Sequence, residues 1–377
     1  MAFACPVPVA TTDPVNEAIL RVSEDQLQGF FEDPIGAIAQ RTGLDAAVVV
    51  ERLRAMLEAG TIRRIRQTLV TTNLAQGALV AWRVPEERLR EAFDWMFTHD
   101  PFTGHVVVRT TDPTSPGASY RLWTTVKVPP PHTLERHCEL LGEEVGAEAF
   151  RIMPAKYLFT LGVGHVRRRD LPPGSRSELL PEPQPVRLVE LDDEEWRVLL
   201  ALKREVTAAE VGRDLWRRRA AEAGIAYADF LRTVRALERR GLIGRFSTFL
   251  EHVKPNGAGE RVTRYNALFH WAVPRGREID AGREVARHHV VTHAYWREAG
   301  PEFGNVNIMA VVHGREKSWV LAHKEAIDRH LREAGIEFGY TNVFWGGRSE
   351  IKPSEVSPFA YEAWLRGRTA APRGTGG

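Results

Sequence analysis

The chain has 377 residues, 43% of them hydrophobic and 27% charged, with 51 Lys and Arg against 49 Asp and Glu for a net charge of +2. That length exceeds the roughly 250–300 residues at which a single core stops growing, so several domains are expected, and the charge balance leaves no bulk attraction to nucleic acid or membrane. No run approaches the ~20 apolar residues of a membrane span, MAFACPVPVATTDP carries no basic residue before its apolar stretch, and two cysteines, Cys5 and Cys138, are too few for a disulfide framework. A reducing, cytoplasmic setting is expected.

Residues 15 to 70 read as three helices and a ribbon. Pro34 sits at a first helical position, Ile35, Ile38 and Ala39 mark an apolar face, Gly43 turns the chain, and Asp45 is placed to cap a helix running to Glu58. After Gly60, the stretch from Thr61 to Val70 alternates Ile62, Arg64, Arg66 and Thr68 against their neighbours, as a strand does. The pattern is that of a winged helix-turn-helix. Next come GALVAWRVP, EERLREAFDWMF, HVVVRT, YRLWTTVKV, HTLERHCELLG and FRIMPAKYLFTLGV, which read as β-α-β-β-α-β, a ferredoxin-like unit.

The same order then returns. VVERLRAMLEAGTIRRIRQTLV and FLRTVRALERRGLIGRFSTFL share a helix, a Gly stop and a basic strand, with Gly60 and Gly241 lying 181 residues apart, while GHVVVR and THAYWR end on Arg109 and Arg297. The fold class expected is α+β, a tandem duplication of a winged helix-turn-helix plus a ferredoxin-like domain. The boundaries are residues 15–70 and 71–166 for the first copy, a Pro-rich, stiff and exposed linker at 167–187, residues 188–249 and 250–352 for the second copy, and a C-terminal extension with a disordered tail at 353–377. In the second copy AEVGRDLWRRRAAEAG reads as one long helix. A fused pair of this kind replaces a dimer, and further copies could associate through exposed sheet faces.

Side chains alternate along a strand, so His105, Val107 and Arg109 share one face, and so do His293, Tyr295 and Arg297. A His beside a fixed cation suits proton transfer next to a bound carboxylate, because imidazole titrates near neutrality and guanidinium grips carboxylates in a bidentate manner. The plainer alternative is a hydrogen-bonded structural His on a half-buried strand. His288 and His289 read as a solvated helix end, and His313 and His323 have no partner at metal-ligand spacing.

The winged helix followed by β-α-β-β-α-β is similar to the Lrp/AsnC transcriptional regulators. More narrowly, VVTHAYWREAGPEFGNVNIMAVVHG, MPAKYLFTLGV and GLIGRFSTFL resemble segments of the siroheme decarboxylase family, which occurs as two related subunits or one fused chain. The resemblance implies removal of acetate carboxyl groups from siroheme, giving didecarboxysiroheme for haem or haem d1, with no cofactor beyond the iron tetrapyrrole substrate. It implies His293, His105 and Tyr295 as catalytic residues and Arg297, Arg109, Arg245, Arg64 and Asn307 as substrate-binding ones. Two departures stand out. Val107 replaces the aromatic that Tyr295 supplies, and Tyr120-Arg121-Leu122-Trp123 stands where the second copy has Val306-Asn307-Ile308-Met309, so the copies are expected to differ chemically.

The competing reading is a DNA-binding regulator of the Lrp/AsnC type, or a tetrapyrrole sensor without catalysis. A recognition helix meets base edges with its first residues, yet Leu44-Asp45-Ala46-Ala47-Val48 and Ala226-Tyr227-Ala228-Asp229-Phe230 offer no Arg, Lys, Asn or Gln and place an Asp against phosphate. Specific DNA binding is therefore not expected, although Arg217, Arg218 and Arg219 keep non-specific binding open.

Overall fold

The computed structural model describes residues 7–370, apart from 163 and 253. The first part of the chain forms α1 (Pro14–Ser23), the short strand β1 (Leu27–Gln28), α2 (Pro34–Thr42), α3 (Ala46–Glu58) and β2 (Ile62–Leu69). Asp13 and Asp45 cap α1 and α3 by accepting from backbone N–H groups of the first turn, which satisfies donors the helix leaves free. After a turn come β3 (Gln76–Arg83), α4 (Leu89–His99), β4 (Thr103–Thr110), β5 (Leu122–Val128), α5 (Leu134–Val145) and β6 (Ala149–Leu161). The connector contributes β7 (Gln184–Pro185). The second copy follows with α6 (Asp193–Lys203), α7 (Leu215–Glu222), α8 (Tyr227–Arg239) and β8 (Ile243–Leu250). It continues with β9 (Tyr265–Ala272), α9 (Glu278–Ala286), β10 (Val291–Arg297), β11 (Ile308–Gly314), α10 (Lys317–Glu333) and β12 (Tyr340–Ile351), before a last helix α11 (Pro358–Ala370). Gly60 and Gly241, the anchors of the repeat, both take positive φ near 70°, the left-handed turn that lets each helix reverse into its strand.

Two sheets result. The helical units of both copies share one apolar core, which takes in Leu53 and Met56 of α3 and Phe230 and Leu237 of α8. Their basic strands pair with each other, in the order β1-β8-β2, with Arg64 opposite Phe249 and Arg66 opposite Ser247. Neither strand projects into solvent as a free wing.

The remaining strands close on themselves. Among the described residues the ring runs β10-β11-β9-β12-β4-β5-β3-β6 and back to β10, antiparallel throughout, with β7 added outside β6. Closure depends on the length of the last strand of each copy. Ala149 to Pro154 of β6 pair with β3 of the same copy, while Ala155 to Leu161 pair with β10 of the other. Tyr340 to Gly346 of β12 pair with β9, while Trp345 to Ile351 pair with β4. Each long strand thus serves two sheets, and the barrel has no open edge. Helices α4 and α5 cover the first half outside and α9 and α10 the second, each with its own core. One part of the interior is filled by Trp123, Phe303, Met309 and Phe344.

Three expectations change. The stretch expected as one long helix in the second copy breaks after a 3-10 turn at Ala208–Glu210, leaving α7 with eight residues. The linker is not exposed at its start, because Arg167 and Arg168 pair with Asp25 and Arg168 donates to the carbonyl of His289. His288 is not a solvated helix end; it is 1% exposed, with Nε2 3.1 Å from Nδ1 of His330. The expected disordered tail lies beyond residue 370, outside the described residues.

Candidate active site

The part of the barrel not filled by aromatic packing holds a cavity of about 350 Å³, roofed by the paired strands β2 and β8 and the residues that follow β8. Its wall carries Arg63, Arg64 and Arg66 from β2, Arg109 from β4, Lys127 from β5 and Arg297 from β10. Among the described lining residues there are six cations and no carboxylate. Leu79, Leu158, Leu268, Met309, Val311 and Phe249 give apolar surface between them. A shift in register between Ile62 and Arg64 breaks the alternation of β2, which accounts for Arg63 reaching the cavity together with Arg64 and Arg66.

His105 and His293, expected on separate sheets, face this one cavity. They occupy the second strand of each half, and closure of the barrel turns both strands' inner faces to a common space. His105 Nε2 lies 2.8 Å from Oγ of Ser349. His293 Nδ1 lies 3.0 Å from Oγ1 of Thr292, whose hydroxyl donates to the carbonyl of Val311. That hydroxyl has spent its proton, so His293 must donate from Nδ1 and keeps Nε2 as a bare acceptor. Burial pushes His105 and His293 down to about 3, with the guanidinium groups of Arg109 and of Arg245 respectively adding to the shift. Both imidazoles are neutral at pH 7 in the unliganded protein.

Tyr295 stands between His293 and Arg297. Its ring stacks near His293 at 6.3 Å and lies 4.4 Å beneath the Arg297 guanidinium, and burial raises its hydroxyl so that it stays protonated. Arg297 Nη1 also donates to the carbonyl of Met153 at 2.5 Å. Arg109 Nη1 donates to Oδ1 of Asn266 at 3.2 Å, and burial lowers its guanidinium to about 9. Lys127 is brought to about 8 by the same cause.

Of the remaining expected residues, Arg64 lines the cavity, with Nη2 on the carbonyl of Ile351 and an ion pair to Glu205 at 3.3 Å. Arg245 does not line it. This guanidinium lies behind the wall, on the carbonyls of Glu24 and Leu161, where its charge still reaches His293. Asn307 is not brought to the cavity at all, because its amide forms a two-way bridge with the backbone N–H and carbonyl of Val273, at 2.9 Å each.

Three further imidazoles line the cavity, of which the sequence reading named His313 alone, without assigning it to the site. His165, His252 and His313 cluster with ring centroids 4.4 to 5.4 Å apart. Burial depresses all three, His252 to about 4. Alternation along β11 from Met309 through Val311 would have pointed His313 inward, whereas His165 and His252 follow strand ends, where no periodic signal exists. His165 is held from behind by Glu24, whose carboxyl accepts from the N–H groups of His165 and Val166 and is raised to about 8 by burial. Among the described residues no group of three or more His, Cys, Asp or Glu is arranged to hold a metal ion.

An AsnC-like ligand-binding domain matches this chain twice, over residues 74–160 and 263–340. The chain is 23% identical over 315 residues to a siroheme decarboxylase of Hydrogenobacter thermophilus, covering 83% of this chain and 87% of that protein. It is 27% identical over 110 residues to a siroheme decarboxylase beta subunit of Desulfovibrio desulfuricans, covering 29% of this chain and 65% of the subunit. The crystal structure of the siroheme decarboxylase NirDL superposes with a TM-score of 0.64 at 20% identity, covering 94% of this chain and 98% of the other. NirDL in complex with an iron-uroporphyrin III analogue gives 0.62 at 19% identity, covering 93% and 99%.

Proposed function

We propose that this chain, a homologue of siroheme decarboxylases with two AsnC-like domains in tandem, is itself a siroheme decarboxylase, a carboxy-lyase that removes acetate carboxyl groups of siroheme. The observation that carries the reading is the cavity wall, with six cations, no carboxylate, apolar surface between them and five imidazoles at hand. Siroheme is a flat apolar macrocycle with eight carboxylates around its rim, and such a wall complements it in charge and in the apolar surface between the charges. Within this reading Arg109, Arg297, Arg64 and the other β2 cations hold rim carboxylates, with the iron entering as part of the substrate.

His293, Tyr295 and His105 are the residues assigned to proton transfer. Decarboxylation leaves electron density on the former acetate carbon, which must take up a proton to become a methyl group. Neutral His293, with only a bare Nε2 toward the cavity, cannot supply it. A bound polyanion supplies the missing drive, since nearby carboxylates favour the imidazolium. The substrate thus charges the acid that acts on it, and Tyr295, protonated beside Arg297, orients the acetate.

Each half is read as a winged helix-turn-helix, residues 15–70 and 188–249, followed by a ferredoxin-like domain, residues 71–166 and 250–352. The strand order 2-3-1-4 within each half supports this. The pairing of β2 with β8 supports taking the helical units as roof and scaffold rather than as readers of DNA sequence. The chain is read as a pseudo-dimer acting in the cytoplasm, needing no cofactor beyond the iron of its substrate.

Anaerobic incubation of the purified protein with siroheme, followed by absorbance and product mass, tests the reading. Stepwise loss of two carbon dioxide units is expected. Siroheme that binds and stays intact would favour the sensor instead, and a protein that takes up no siroheme would return the DNA-binding regulator to the front.

A further inference from the structure

The two halves of the cavity wall differ at one pair of positions that the assigned residues do not include. Register through the two central strands places Gly77 and Lys127 of the first half where the second half has Asn266 and His313. In the second half these two side chains touch each other, with Asn266 Nδ2 3.2 Å from His313 Nε2, and the other end of the same amide holds Arg109.

The chemistry of these contacts fixes every proton in the chain. A guanidinium only donates, so the Asn266 atom facing Arg109 is the carbonyl oxygen. The atom facing His313 is then the NH₂ group, which only donates, so His313 Nε2 must accept. A neutral His313 therefore carries its proton on Nδ1, and that atom is buried with no hydrogen-bond partner among the described residues. His105, His165, His252, His293 and Arg109 surround the ring, and burial among them keeps it neutral.

We infer that Arg109, Asn266 and His313 form a carboxylate-binding subsite in which the guanidinium and the His313 Nδ1–H both donate to the ligand, with Asn266 as the positioning residue that sets both donors. The inference rests on the tetrapyrrole reading for the identity of the carboxylate, but not for the geometry of the donors. Its consequence is orientation. A cavity built from two copies would accept a nearly symmetric macrocycle in two ways, and a directional neutral donor on one side, with the Lys127 ammonium held on Oγ of Ser354 at 2.9 Å on the other, distinguishes them.

Two measurements test this on the full-length protein. Nitrogen-15 NMR of the unliganded protein labelled at histidine should show a neutral His313 protonated on Nδ1, assigned by its loss in His313→Ala, and Asn266→Asp should move that proton to Nε2. A His313 protonated on Nε2 in the unaltered protein overturns the inference whatever the substrate is. Binding of iron-uroporphyrin III, which also bears eight carboxylates, should weaken about tenfold to a hundredfold in His313→Ala, the range for losing a hydrogen bond to a charged group. His313→Asn, whose amide nitrogen sits near the position of Nδ1, should recover most of it. Equal binding by the unaltered protein and a folded His313→Ala variant overturns the subsite and leaves the decarboxylase reading intact. Failure of the unaltered protein to bind the porphyrin would strike that reading and the carboxylate role together, while the NMR result would still decide the arrangement of protons.

Discussion

The first and second halves of the barrel share a skeleton and differ in what they carry inside. On matching strands the first half has His105, Val107 and Arg109, and the second His293, Tyr295 and Arg297; on the neighbouring strands Ala81 and Lys127 hold the positions that His270 and His313 hold in the second half. Both imidazoles of the His-x₃-Arg pair open onto one cavity, so duplication produced a single chamber with two unlike walls rather than two sites. The physical reason lies in the long strands β6 and β12, which leave their own sheet midway and close the other. Residues free to diverge are those facing the chamber, because the outer faces must still pack against α4, α5, α9 and α10.

The largest effect tests whether the walls cooperate. His105→Ala with His293→Ala should lower turnover of siroheme by about 10²- to 10⁴-fold, the span that one proton-transfer group commands, while tetrapyrrole binding stays measurable. Comparing the single variants ranks the two walls, and full activity in the double variant would remove both from the chemistry. A smaller effect comes from removing a hydroxyl that the first wall lacks. Tyr295→Phe should cost about tenfold in kcat with less change in KM if, as proposed, the hydroxyl orients the acetate beside Arg297. An unchanged kcat would make Tyr295 a packing residue.

The smallest effect is on stability. His105, His270 and His293 are held near 3 and His252 near 4 by burial, below the unfolded value of about 6.5. The unfolded chain therefore binds more protons in acid, and stability is lost as pH falls from about 6.5 toward 3, with the share of His252 complete near 4. Glu24, raised to about 8, acts in the opposite sense between about 4.5 and 8, with a single proton. His270 is 1% exposed, with Nε2 unpartnered among the described residues, where the first half has Ala81. His270→Leu should flatten the acid side of the unfolding profile by up to about 1.4 kcal/mol per pH unit. Denaturant melts at pH 7 and pH 5 would read the difference, and parallel slopes in the variant and the unaltered chain would contradict it.

Much of this was legible in the sequence because it is local. Asp13 and Asp45 at helix starts, Gly60 and Gly241 at helix ends, and period-two patterns around His105 and His293 act within a few residues of themselves. Arg109, Arg297 and Arg64 reached the cavity because strand alternation fixes which side they face. Asn307, which only the resemblance implied, is not at the cavity, because the backbone of Val273, just after β9, claims its amide. Arg245 misses the cavity more narrowly, since the carbonyls of Glu24 and Leu161 hold its guanidinium behind the wall.

The sequence by itself determined the duplication, the order of elements in each copy and the inward faces of their strands, since these follow from backbone periodicity and capping chemistry. Only the tertiary structure decided that the basic strands roof a barrel, that two halves enclose one chamber, and that His165, His252, His313, Lys127 and Asn266 join it. Those residues come from segments up to 186 positions apart, as Lys127 and His313 are. Strand pairing across the two copies brings them together, and no local pattern encodes a pairing of that range.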